Sequence, residues 1–204
     1  MEQYKEKEVT DQDLFESYVR DLHLTPEDLG KKILDVGSEF AQFAKYAKEN
    51  GINDRIFSFD GRDVFEEREK SVQGGMEVGL PFKNESFDLI VSHAAFPYFH
   101  LYYPDAILGR ELRNNLNELL RVVSVGGEIR FGPVAHITKE IEEKTNKKSS
   151  ESLLIKQHKA FEENLVAALD EMEKAERVKY EITNIKNDDP KSFFILLVKI
   201  KKLK

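Results

Sequence analysis

The sequence predicts an α/β protein, a mainly parallel sheet with helices on both faces, and three observations predict it. Strand-like apolar runs alternate with helical or mixed segments, the pattern of βαβ units. The first run, at Lys31 to Gly37, is a buried-type strand that turns straight into a helix. The last two runs are separated by only Lys186 to Lys191, too short for a helical crossover, so they pair as an antiparallel hairpin. With 204 residues, 40% of them hydrophobic, the chain suffices for one domain over 1–204, with 1–30 a helical segment at its edge.

Taken in order, Asp11 to Leu29 reads as an amphipathic edge helix through Leu14, Tyr18, Val19 and Leu22. Ile33, Leu34 and Val36 form the first strand, Gly37 relieves its turn, and Phe40, Phe43, Ala44 and Ala47 share a face of the next helix. Ser38 is placed to cap that helix and Glu39 to meet its positive end, while Asn50-Gly51 ends it. Further strands fall at Arg55 to Asp60, more weakly near Val72 to Val78, and at Phe87 to Ala94 and Glu128 to Val134. A leucine stripe marks a helix from Leu108 to Val123 that stops at Val125-Gly126-Gly127. Another helix spans Glu151 to Glu176, where His158 reads as a partnered residue at the core's edge. The hairpin strands are Val178 to Ile185 and Ser192 to Ile200.

Composition excludes several function classes. The net charge of -7 repels polyanions, and the one basic cluster, Lys199, Lys201, Lys202 and Lys204, reads as a solvated strand end rather than a nucleic-acid track. Without cysteine there is no disulfide framework or thiolate metal site, and no two histidines have metal-ligand spacing. The polar start MEQYKEKEVT lacks the apolar core of a secretory signal, and no apolar run approaches the ~20 residues of a membrane helix. A cytoplasmic protein is expected.

In an open parallel sheet, ligands sit beyond the carboxyl ends of the strands. There the sequence puts Asp35, Gly37 and Ser38, with backbone N–H groups at a helix start. It puts Asp60-Gly61 about one βαβ unit later, where a carboxylate could accept bonds from ribose hydroxyls. Met76 and Glu77 could flank a ring at the third strand, and Ser92 and His93 close the fourth. His93 is the candidate acid or base, with Tyr98 and His100 near the substrate. Each has a plainer reading: Asp60 as a turn former, Met76 as packing, Ser38 and Glu39 as good helix-start residues.

The strings LPFKNESFDLIVS and ELLRVVSVGGEI, in that order and spacing after KKILDVGS, resemble class I S-adenosylmethionine-dependent methyltransferases. The resemblance covers nearly the whole chain. It implies a three-layer Rossmann-like fold with a seven-stranded sheet whose last strand is antiparallel, and S-adenosyl-L-methionine as cofactor. It also implies methyl transfer to a small-molecule or protein acceptor. Asp35 and Gly37 match the start of the family's glycine-rich loop, Asp60 its ribose-binding acid, and Ser92 and His93 the strand end lining the transfer site. Two departures stand out: Glu39 and Ala41 occupy the loop's second and third glycine positions, and Met76 with Glu77 stands where an aspartate often binds adenine. They motivate an alternative, a catalytically inactive methyltransferase-like domain acting as a binding or regulatory partner. A nicotinamide oxidoreductase fits less well, because its glycine pattern is absent.

Overall fold

The computed structural model describes residues 9–61, 70–101, 103–136, 149–185 and 194–204. Seven strands form one sheet in the order β3-β2-β1-β4-β5-β7-β6: β1 Ile33–Val36, β2 Ile56–Asp60, β3 Ser71–Gln73, β4 Phe87–His93, β5 Val123–His136, β6 Val178–Ile185 and β7 Phe194–Lys202. Pairings from β3 through β5 are parallel, and β7 runs antiparallel to both β5 and β6, as the short hairpin connection requires. The expected mainly parallel sheet with an antiparallel last strand is what forms. Of the weak run near Val72 to Val78, only three residues pair as β3, and Met76–Val78 is a 3-10 turn.

Both faces of the sheet are covered, and strand parity decides what each residue meets. Leu34 and Val36 of β1, Phe59 of β2 and Ile90 of β4 join the core beneath α4 (Phe96–Leu101), α5 (Asp105–Val122) and α6 (Ser149–Lys174). Ile33, Ile56, Leu89 and Val91 face the other way, against α1 (Asp11–Asp21) and α3 (Gln42–Glu49). Asp35 shares the parity of Ile33. A carboxylate is therefore built into the apolar layer under α1.

The N-terminal segment is two helices, not one. Leu22 closes α1, His23 takes a left-handed turn at φ 49°, and Thr25 with Pro26 opens α2, Pro26–Leu29. Thr25 and Asp28 exchange side-chain and backbone hydrogen bonds in a capping box, and Pro26 has the fixed φ suited to a first helical position. Nor does α5 stop at the glycine pair. It ends at Val122, and Gly126-Gly127 lies inside β5, where the pairing with β4 slips between Phe87 and Leu89. A Cβ on Gly127 would come within 2.8 Å of the Asp88 carbonyl, so the bulge needs glycine there.

Candidate functional site

The loop after β1 keeps a glycine-loop backbone with little glycine. Gly37, Glu39 and Ala41 all have positive φ, at 77°, 46° and 55°. The two positions where glycine is replaced are thus held in conformations that favour it. Their geometry is held by the end of β2: the N–H groups of Gly37 and Ser38 donate to the Phe59 carbonyl at 2.8 and 3.4 Å, and Glu39 N–H donates to Asp60 Oδ2 at 2.9 Å. This corrects the expectation of open N–H donors at a helix start. Ser38 does not cap α3. The helix begins at Gln42 after a left-handed Ala41, which leaves Phe40 in the turn and half exposed instead of on the buried face. Glu39 is exposed, so Glu39→Gly should relieve the left-handed cost and raise stability by up to about 1 kcal/mol. Urea unfolding checks this, and a loss of stability would count against the strained-loop reading.

A cavity of about 390 Å³ opens at the carboxyl ends of β1, β2 and β4. Gly37, Ser38, Glu39 and Asp60 line one side, and His93, Ala94, Ala95 and Tyr98 another. Leu14 and Tyr18 of α1 and Gln42 of α3 complete the wall. Six of the residues singled out from sequence therefore meet around one space: Gly37, Ser38, Glu39, Asp60, His93 and Tyr98. The hydroxyl of Ser38 is buried with no hydrogen-bond partner among the described residues. A buried hydroxyl left unpaired is costly unless something bonds it.

Tyr18 and Asp21 are what sequence reading missed. Tyr18 is sandwiched by rings, with its centroid 4.4 Å from Phe43 and 4.6 Å from His93. Its hydroxyl donates to the Asp35 carboxylate at 3.2 and 3.3 Å. Asp35 is wholly buried and is not among the lining residues, so its place is beneath the site, under Tyr18, rather than in the wall. Burial, with Asp60 adding repulsion against the pull of the Tyr18 bond, pushes its carboxyl up to about 8. Burial and the same carboxylate push the Tyr18 phenol well above its ordinary value. At the other end of α1, Asp21 Oδ2 lies 2.9 Å from His93 Nε2. The helix pattern did not set them apart, because Tyr18 belongs to the apolar stripe and Asp21 follows it by one turn.

Of the remaining candidates, His100, Ser92, Met76 and Gly61 are not among the residues that line the cavity. His100 is fully buried, its Nδ1 on the Phe96 carbonyl at 2.8 Å and its Nε2 against Asn115 Nδ2 at 3.1 Å, and burial lowers its pKa. With both ring nitrogens engaged it ties α4 to α5, which corrects its expected place beside the substrate. Ser92 is buried, and its Oγ accepts the Phe96 N–H at the start of α4. Met76 packs in the core on the α5 side of the sheet. Gly61 is exposed beyond β2 and is not a lining residue, and the side chain of Glu77 lies outside the described residues. His158, expected to have a partner, has a buried Nδ1 with none among the described residues, and burial lowers its pKa. Among the described residues no cluster of His, Cys, Asp or Glu could hold a metal ion, and no helix is long and apolar enough to cross a membrane.

Residues 34–131 match the family model of a methyltransferase domain. No curated protein matches the sequence significantly. Among solved structures, the fold is similar to the plantazolicin methyltransferase BpumL in complex with SAH, at 15% identity and TM-score 0.54 over 95% of this chain and 83% of that one. It is also similar to an S-adenosylmethionine-dependent methyltransferase from Methanosarcina mazei, at 13% identity and TM-score 0.55 over 93% and 97% of the two chains. Human N-acetylserotonin methyltransferase in complex with SAM matches at 13% identity and TM-score 0.55, over 95% of this chain and 55% of that one.

Proposed function

We propose, for a chain whose fold is similar to that of solved S-adenosylmethionine-dependent methyltransferases and whose residues 34–131 match the methyltransferase-domain family model, that it methylates an acceptor with S-adenosylmethionine. The acceptor would be a small molecule or a protein side chain, and the chain would act as a single domain in the cytoplasm. One observation carries this reading: the cavity at the strand ends gathers the loop residues, Asp60 and His93 around a single space. The residues fit the cofactor because a buried hydroxyl at that wall, Ser38 Oγ, lacks a partner that a ligand could supply.

When bound, the cofactor supplies an electrophilic methyl group. Asp60, with its carboxylate at the β2 end, would accept from ribose hydroxyls, while Ser38 and Glu39 would hold the methionine part. Tyr18 and Leu14 would cover the site and exclude water. His93 would take the proton of the acceptor, with Tyr98 walling the acceptor's side.

A second reading, a binding domain without turnover, is favoured by the Asp60 oxygen that is already engaged by Glu39 N–H. Titration with S-adenosylhomocysteine separates the two. A ligand at about 100 times its dissociation constant should raise stability by about 2.7 kcal/mol, and Asp60→Ala should weaken binding at least about tenfold. A folded protein with no thermal shift at millimolar ligand would remove the enzyme reading. Unchanged affinity in the Asp60 variant would remove the ribose assignment.

A further inference from the structure

We infer that Asp21 of α1 is the positioning residue of the pocket, fixing His93 in the tautomer whose Nδ1 is the bare, proton-accepting nitrogen. The inference deepens the methyl-transfer reading and rests on it for the identity of the reaction. Its structural basis is independent.

Asp21 Oδ2 is 2.9 Å from His93 Nε2, and Arg20 reaches the same carboxylate, Nε to Oδ1 at 2.7 Å and Nη2 to Oδ2 at 3.2 Å. Burial opposes charge on Asp21, but the hydrogen bonds from His93 and Arg20 outweigh it and hold the carboxyl below its ordinary value. An ionised carboxylate only accepts, so the hydrogen between the two groups belongs to Nε2. A neutral ring then has its lone pair on Nδ1. Nδ1 has no hydrogen-bond partner among the described residues, and His93 lines the cavity. The ring cannot easily turn away. Tyr18 stacks on it, and Tyr18 is itself anchored by Asp35 and Phe43.

The chemistry follows from this arrangement. The O–H or N–H bond of an acceptor breaks, its proton forms an N–H bond at Nδ1, and the electron pair remains on the acceptor atom for attack. The imidazolium produced is left beside the Asp21 carboxylate, which stabilises it. The side of the pocket walled by His93, Ala94, Ala95 and Tyr98 is suited to a hydroxyl or amine nucleophile, which has a proton for Nδ1 to take.

Two measurements on the ligand-free protein test the inference, and calorimetry with S-adenosylhomocysteine tests the cofactor reading separately. Long-range proton–nitrogen correlation on histidine-labelled protein should show neutral His93 protonated at Nε2 and bare at Nδ1. Diethyl pyrocarbonate should modify His93 at Nδ1, about tenfold more slowly in Asp21→Asn, with the rate restored in Asp21→Glu. A merely structural pair would leave Nδ1 neither open to the reagent nor sensitive to the charge of residue 21. A wild-type ring protonated at Nδ1, or a modification rate unchanged in a folded Asp21→Asn variant, overturns the assignment. Should wild type fail to bind S-adenosylhomocysteine, the methyl-transfer reading falls while the two histidine measurements still decide the role of Asp21.

Discussion

Replacing Arg130 by methionine is expected to destabilise the protein by about 1.5–3 kcal/mol, the cost of removing charge-assisted hydrogen bonds from a buried carboxylate. Arg130 projects from β5 with its side chain 8% exposed and grips Asp28 through two bonds, Nη1 to Oδ2 at 2.8 Å and Nη2 to Oδ1 at 3.1 Å. It also bonds Glu128 at 2.7 Å and the His23 carbonyl at 2.9 Å. Burial opposes the charge of Asp28, yet the bonds from Lys31, Thr25 and Arg130 hold its carboxyl well below the usual carboxylate range. Without Arg130 that carboxylate keeps Lys31 and the Thr25 cap but loses its one bidentate partner. Lysine should not rescue it, because an ammonium cannot reproduce the fork. The consequence reaches the cavity. The clamp fixes the turn between α1 and α2, and α1 carries Tyr18 and Asp21 into the site. Urea unfolding measures the loss, and a change below about 1 kcal/mol would mean that the clamp contributes little.

What sequence could and could not show follows from the range of the contacts involved. The strands were legible because each is a short apolar run bounded by turn residues, and the antiparallel close because six residues cannot build a crossover. The grouping of Gly37, Asp60 and His93 was legible because a parallel sheet puts all its strand ends on one side. The contribution of α1 was not. Tyr18 meets Asp35 across 17 positions and Asp21 meets His93 across 72, contacts that periodicity does not encode. The loop misled in a different way. Side-chain identity at Glu39 and Ala41 argued against a glycine loop, while the backbone, which has the left-handed turns, is invisible in a string of letters. His100 was placed by proximity to a strand end, but α4 turns it inward onto Asn115. The helix following a strand decides which of its residues face the ligand, and six residues of mixed aromatics carry no clear stripe.

Wild-type stability should fall as pH rises from about 5 to about 8 through Asp35, and Asp35→Asn should flatten that fall. Asp35 lies at a fully buried position on the sheet face that α1 covers, with the Tyr18 hydroxyl as its hydrogen-bond donor and Asp60 as a repelling neighbour. In the unfolded chain it loses its proton near pH 3.9. In the native protein the carboxyl is pushed up to about 8. Between those values the native state binds one proton more than the unfolded state, so the slope of unfolding free energy with pH is negative. The stabilisation from this group is complete below the unfolded value and is lost as pH approaches the folded one, by at most about 1.4 kcal/mol per pH unit. Asparagine keeps an acceptor for Tyr18 and removes the titration, so the difference between variant and wild type should move in the variant's favour at pH 8 relative to pH 5. Urea midpoints of both proteins at the two pH values read this difference directly, with other titrating groups cancelling between them. Parallel pH dependences would mean that Asp35 is ionised in the folded protein. The Tyr18 hydroxyl would then be bonded to a full negative charge beneath the cavity, and the electrostatics of the site would be those of two carboxylates, Asp35 and Asp60, rather than one.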